Sequence, residues 1–409
     1  MDDRKEKILV LTSTYPRFRG DSIPEFVHGL SSRLNNKYDF FVLAPHCKRS
    51  LKNEVIDGVN IVRFRYAPER LEVLAYGAGM LAELKRNRFV YLLVIPFLFS
   101  QMAYTCFFIW KYKIRLVHCH WIIPQGITVL FVRLIFWRKV KVVLTVHGGD
   151  LYSFNGAFGR LLKRVVLSAA DIIAAVSEAV KADINSRFPG HSQRCVVAPM
   201  GVDLEGRFIP GAVKHRQGIG FVGRLVEKKG VSTLINSLRI LHDMGGNQKL
   251  TIIGDGDERP QLESLVQELG LQEYVEFLGA IPNERVVGYY QKVEVAVIPS
   301  LVASTGDREG LGLVAVEAIG SGAITVASDL PALADVITDG VTGYTFGAGC
   351  AESLAEKLHN IFSDIEGARR QLDCARDHIV QKFSWGSSAE RYAEIFKSAL
   401  VDKEKPTDY

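Results

Sequence analysis

The feature that most constrains the fold of this chain is a rhythm that runs through it twice. Short apolar runs alternate with helical stretches from the start: KILVLTS, PEFVHGLSSRL, YDFFVLAP, and further on IRLVHCHW, VKVVLTVHG and ADIIAAVS. Strands that alternate with helices in this way build a parallel sheet wrapped by helices. The rhythm breaks in VVAPMGVDLEGRFIPG, followed by the charged VKHRQ, and restarts at GIGFVGRL. KLTIIGDG, YVEFLGA, VEVAVIPS and AITVAS then read as strands, with helices opening after Lys229, Asp257, Pro282 and Gly310. The expected class is therefore α/β with two doubly wound, Rossmann-like domains, residues 1–210 and 211–385. The last helical stretch, SSAERYAEIFKSAL within 386–400, is expected to pack back on the first domain. Two such sheets facing each other would make a cleft lined by their carboxyl ends, where open α/β sheets bind ligands.

A chain of 409 residues, 48% hydrophobic and 23% charged, has enough apolar material for two cores. Its net charge of +5 conceals an asymmetry: residues 1–200 hold 29 Lys and Arg against 15 Asp and Glu, a balance of +14 that leaves −9 for the rest. A basic front half suits an anionic partner on that side, a phosphate-bearing substrate or a membrane surface. Nucleic acid is not expected, because the basic residues sit among apolar ones and no nucleic-acid-binding module is present. The six cysteines form no CxxC pair, and the first residues lack the layout of a secretory signal, so a cytoplasmic protein with reduced thiols is expected.

One stretch, FVYLLVIPFLFSQMAYTCFFIW at 89–110, has no charge and is long enough to cross a bilayer. Strand-like runs of the same half lie on both sides of it, so a crossing would divide one sheet between two sides of a membrane. Together with VRLIFWRKVK at 132–141 it reads instead as a face resting on the inner membrane surface, the alternative being an internal helix pair.

The chemistry concentrates in the second half. Arg224 and Lys229 lie in FVGRLVEKKG, and Glu309 and Glu317 bracket a glycine-rich run in EGLGLVAVEAIGSG. That run reads as a loop opening a helix, whose first N–H groups attract phosphate. Two cations, two carboxylates and a helix start suit a nucleotide sugar. Alone, each is an ordinary surface turn or a pair of helix glutamates.

GRLVEKKG followed by REGLGLVAVEA resembles the retaining glycosyltransferases of family 4. TSTYPRFRGDSIPEF, VHCHWIIPQG, TVHGGDLY, VAPMGVDLEGRF and IIGDG are similar in the same order. The resemblance spans nearly the whole chain and implies the GT-B fold, with transfer of a sugar from a nucleoside diphosphate to an acceptor hydroxyl. It assigns Arg224 and Lys229 to the diphosphate, with N–H groups around Gly312 and Leu313, and with Gly223, Gly254 and Gly256 beside the donor. Glu309 is implied to accept from hydroxyls of the donor sugar, and Glu317 from those of the ribose. His147 is implied to lie near the sugar and the reacting centre, where an imidazole can donate a hydrogen bond or help shuttle a proton. Asp150 is read either as an acceptor-binding residue or as a cap of the following helix. Gly20 falls where the family carries two adjacent glycines near the donor phosphate; this chain carries one.

No metal and no cofactor are expected beyond the nucleotide sugar. His118 and His120 share a strand face, but no second ligand pair follows at zinc spacing. The acceptor implied is a saccharide or lipid-diphosphate-linked precursor of an envelope polysaccharide. A sugar-nucleotide epimerase of the same shape, and a membrane-bound saccharide-binding or scaffolding protein that has lost turnover, are the alternatives. A dinucleotide-dependent dehydrogenase is disfavoured, since TSTYPRFRG stands where its GxGxxG would be.

Overall fold

The structure is a computed structural model that describes residues 5–18, 21, 25–48, 50–76, 80–212 and 215–401. The chain divides into two compact units. The first takes residues up to Val176, Val180–Gly201 and the chain from Ser388; the second takes Ser177–Ala179 and Val202–Ser387.

Eight strands form the sheet of the first unit: β1 (Glu6–Leu11), β2 (Tyr38–Pro45), β3 (Asn53–Ile56), β4 (Val59–Phe64), β5 (Leu116–His120), β6 (Lys141–Val146), β7 (Ile172–Ala175) and β8 (Cys195–Val197). Their order is β3-β4-β2-β1-β5-β6-β7-β8, parallel throughout except for the β3–β4 hairpin. Ile8, Leu9, Val10 and Leu11 are fully buried, because β1 is central and helices cover both faces of its sheet. Chain order reverses between β1 and β5, so the loops leaving these two strands diverge and leave a crevice at their carboxyl ends. The helix Trp385–Leu400 brings Tyr392 and Phe396 into this unit, where Phe396 packs edge-on against Tyr38 and His118.

The stretch at 88–112 forms a 3-10 turn and the helix Val94–Tyr112. It joins β4 to β5 of one sheet. Phe97, Gln101, Thr105, Phe108 and Ile109 face inward at helical spacing. Phe89, Leu92, Ile95, Phe99, Phe107 and Trp110 stay exposed. By length and composition Arg88–Tyr112 could cross a membrane, and 28% of its most apolar window is buried in the fold.

The second sheet holds β9 (Ile219–Val222), β10 (Leu250–Ile253), β11 (Val275–Gly279), β12 (Val295–Ile298), β13 (Ile324–Ser328) and β14 (Tyr344–Phe346). All its pairs are parallel and the order is β11-β10-β9-β12-β13-β14, the dinucleotide-fold order 3-2-1-4-5-6. Its core joins Ile219, Phe221, Ile252, Val295, Val297 and Val326 to Leu234, Leu238, Leu354 and Leu358 of the covering helices. Each such side chain contributes about 1.5–3 kcal/mol on burial.

Candidate active site

In the second unit the order reverses between β9 and β12, and the residues expected at a donor site gather on the loops there. The loop leaving β9 runs through Gly223 and Arg224 into a 3-10 turn, Glu227–Lys229, and then the helix Val231–Asp243. Gly230 makes the join at φ 61°, and a Cβ there would overlap Pro299 O at the end of β12, so only glycine lets the two loops touch. Leu301 N donates to Lys228 O at 2.9 Å across the same seam.

Three consecutive residues of that turn hold the loop that precedes the helix Leu313–Gly320. Glu227 accepts from Ser304 N at 2.6 Å and from Ser304 Oγ at 2.9 Å. Lys228 Nζ stands 3.1 Å from Asp307. Lys229 Nζ donates to Glu309 Oε2 at 2.6 Å, and both side chains are 15% exposed. Burial alone would raise the Glu309 carboxyl, but the charge and hydrogen bond of Lys229, the charge of Lys228 and the Gly310 N–H hold it below its ordinary range. Glu309 is thus an anion matched to one cation. Sequence reasoning placed these two residues at one site without pairing them, and passed over Glu227, Lys228, Ser304 and Asp307.

Gly312 caps the next helix at φ 79°, and a Cβ there would overlap Leu333. The helix opens at Leu313, three residues beyond Gly310. Glu317 lies one turn in, and burial pushes its carboxyl up to about 7 against the pull of Arg207 and Lys229. Arg207, which no sequence pattern singled out, reaches this site by its charge. Arg224 is exposed. Gly254 and Gly256 have a packing reason: a Cβ on the first would overlap Gly223 O, and on the second Leu225 O, so the loop leaving β10 lies directly on the loop leaving β9.

In the first unit His147 follows β6 and is partly exposed. Its Nε2 is 3.0 Å from His120 Nδ1, and its ring lies among Phe26, Trp121 and His120. Asp150 is buried, and its two oxygens accept from Ile122 N at 2.7 Å and His147 N at 3.1 Å. The carboxylate ties the loop leaving β5 to the loop leaving β6; it does not cap the following helix Gly149–Tyr152, whose N-cap is Gly148, because Asp150 is itself the second residue of that helix. Burial raises the carboxyl to about 6 although those N–H groups and Lys163 lower it. Gly20 lies outside the described residues. Among the described residues no group of three or more His, Cys, Asp or Glu could hold a metal ion.

Two Rossmann-like units, one of them with paired cations and carboxylates at its strand-order reversal, make up the fold class in which open α/β sheets bind nucleotides. The family model described as Glycosyltransferase Family 4 matches residues 25–205, and that described as Glycosyl transferases group 1 matches residues 204–377. A D-inositol 3-phosphate glycosyltransferase of Corynebacterium urealyticum is 28% identical over 259 residues, 58% of this chain and 59% of that protein. The chain thus spans about three fifths of that relative's length. Sucrose-phosphate synthase from Thermosynechococcus elongatus superposes with a TM-score of 0.78 at 21% identity, over 96% of this chain and 99% of that one. The Anabaena protein HepE, in complex with UDP and glucose, gives 0.69 at 17% identity, over 96% and 100%.

The chain belongs to glycosyltransferase family 4 and has the GT-B fold. Both family models describe glycosyltransferases.

Proposed function

We propose that this glycosyltransferase moves a hexosyl group from a nucleoside diphosphate sugar to an acceptor hydroxyl with retention at the anomeric carbon. The Lys229–Glu309 pair at the reversal of the second sheet carries the reading. When the sugar–phosphate bond breaks, negative charge grows on the leaving diphosphate while the anomeric carbon becomes cationic. Arg224 and Lys229 take up that charge, with the N–H groups at Gly312 and Leu313 adding the field of a helix start. Glu309, held ionised, accepts from donor-sugar hydroxyls, and Glu317 from the ribose. The acceptor approaches on the face the diphosphate leaves, and the phosphate takes its proton, so no protein base is required. In this reading the side-chain cations neutralise the leaving group without a divalent ion. The complex of HepE with UDP and glucose supports a uridine nucleotide as the first donor to try.

The acceptor we propose is a saccharide or lipid-linked precursor of an envelope polysaccharide, met at the inner membrane face. An exposed apolar surface on the first unit supports this. Trp110, Phe99 and Ile95 are exposed on the helix Val94–Tyr112, Phe131, Leu134 and Ile135 on the helix Gln125–Phe136 that packs against it, and Phe158 and Leu161 on the helix Ala157–Ala169 that packs against the second. Exposed Lys111, Arg160 and Arg164 lie on these helices, and exposed Arg88, Lys113 and Lys139 on the segments that adjoin them. Apolar faces edged by cations settle at anionic interfaces. Screening uridine, guanosine and adenosine diphosphate sugars for release of the free nucleoside diphosphate, with proton NMR of the anomeric configuration, tests the reaction. Inverted product, or no release from any of the three, would overturn it.

A further inference from the structure

Two neutral imidazoles that share one hydrogen bond must divide their protons, and the surroundings of His120 decide how. His118 and His120 stand on one face of β5, and His147 follows β6 alongside. The His120 and His147 rings meet edge to edge and nearly coplanar, 25° between their planes and centroids 5.3 Å apart, along the 3.0 Å bond from Nδ1 to Nε2. His120 is fully buried, and its Nε2 has no hydrogen-bond partner among the described residues. A proton on that nitrogen would be an orphaned buried N–H, which folded proteins avoid more strictly than a bare acceptor. The His120 proton therefore belongs on Nδ1, donated to His147 Nε2, and His147 must carry its own proton on Nδ1.

The surrounding bonds keep this sense. Tyr392 donates to Ala198 O at 3.2 Å, so its oxygen accepts from Thr145 at 3.1 Å, and Thr145 accepts from His118 Nε2 at 2.8 Å. His118 thereby carries a proton on Nε2, beside His120, their ring centroids 4.3 Å apart. Burial holds all three histidines far below their ordinary range, His118 and His147 at about 3. Asp150 fixes the backbone of His147.

We infer that His120 is a positioning residue, fixing the ring and tautomer of His147 so that His147 offers an Nδ1–H donor and no base. This rests on the place beside the sugar and the reacting centre that the family resemblance implies for His147, and deepens it. A donor at that position suits a reaction in which the leaving phosphate, not a side chain, takes the acceptor proton.

The test uses the full chain labelled with ¹⁵N-histidine. Long-range ¹H–¹⁵N spectra, with His147 assigned by its loss in His147→Gln, should show it protonated at Nδ1. Protonation at Nε2 would overturn the inference, whatever the variants do. His120→Phe keeps a ring and removes the donor; sugar-nucleotide turnover should fall about ten- to a hundredfold in kcat, with donor KM within about twofold. His120→Asn returns an N–H near Nδ1 and should recover most of the loss. Equal loss in both variants at unchanged melting temperature would count against positioning through that bond. Undiminished turnover in His147→Ala would instead overturn the sugar-side role, leaving the tautomer result intact.

Discussion

Lys229 Nζ and Glu309 Oε2, 80 positions apart in sequence, are joined at 2.6 Å on the loops where the second sheet reverses its order. The bond does two things at once: it fixes the loop before Leu313, and it keeps a mostly buried carboxylate ionised. These roles separate by mutation. Lys229→Met leaves Glu309 without its counter-charge and should lower stability by roughly 1–3 kcal/mol and turnover by about 10²–10³-fold. Lys229→Met combined with Glu309→Gln should regain most of the stability in urea melts and none of the turnover. Recovery of activity in the double variant would show the pair to be structural only.

Glu317 gives a pH dependence with a definite sign. Its folded-state carboxyl sits at about 7, above the ordinary 4.5, so the folded protein keeps a proton that the unfolded chain loses in between. Stability from this group is full below about 4.5, falls as pH rises through 7, and is level beyond. Glu317→Gln removes the penalty, so its stability relative to wild type should improve by roughly 1–3 kcal/mol from pH 5 to pH 8. Donor binding should run the other way, tightening through pH 7 in wild type and staying flat in the variant. Parallel pH curves for the two proteins would remove Glu317 from the ribose.

Gly254→Ala and Gly256→Ala should each part the loops leaving β9 and β10, since a Cβ at either place meets backbone. Losses of roughly 1–3 kcal/mol in stability and a weaker donor affinity are expected. Gly288 is the control: it lies inside the helix Asn283–Tyr290 with nothing near its Cβ position, and Gly288→Ala should stabilise by about 0.5–1 kcal/mol. Thermal melts of the three variants side by side decide the matter.

The basic-aromatic stretch at 132–141 divides into two kinds of residue. Arg133 is not a surface cation: its guanidinium donates to Ala169 O at 2.7 Å and Val140 O at 2.8 Å and pairs with Asp171. Arg133→Glu should unfold or strongly destabilise the protein. Trp110→Glu with Leu134→Glu should leave folding intact and cut sedimentation with vesicles containing phosphatidylserine. Unchanged sedimentation would take that face away from the membrane.

Much of this was legible because parallel strands buried on both faces write themselves as apolar runs; β1, β2, β5, β6, β7 and most of the second sheet follow the expected segments. The β3–β4 hairpin was not read, although Asp57-Gly58 is a turn signal and both residues take positive φ, 49° and 79°. Its strands are short and mix polar with apolar residues, so periodicity was weak. Lys229 and Glu309 were legible as types, but the bond between them is made by topology, which brings β9 beside β12. The same holds for Glu227 with Ser304 and Lys228 with Asp307. Asp150 shows the limit of local reading: a capping position in sequence, it bonds Ile122, 28 residues earlier, which only the pairing of β5 with β6 brings near.

The most direct test of the account is release of free nucleoside diphosphate from a sugar nucleotide, in excess chelator, by wild type, Arg224→Met and Lys229→Met. Wild type should turn over undiminished without free divalent cations, and each variant should lose about 10²–10³-fold in kcat while remaining folded. Turnover abolished by the chelator, or retained in either variant, would contradict the claim that side-chain cations neutralise the departing diphosphate.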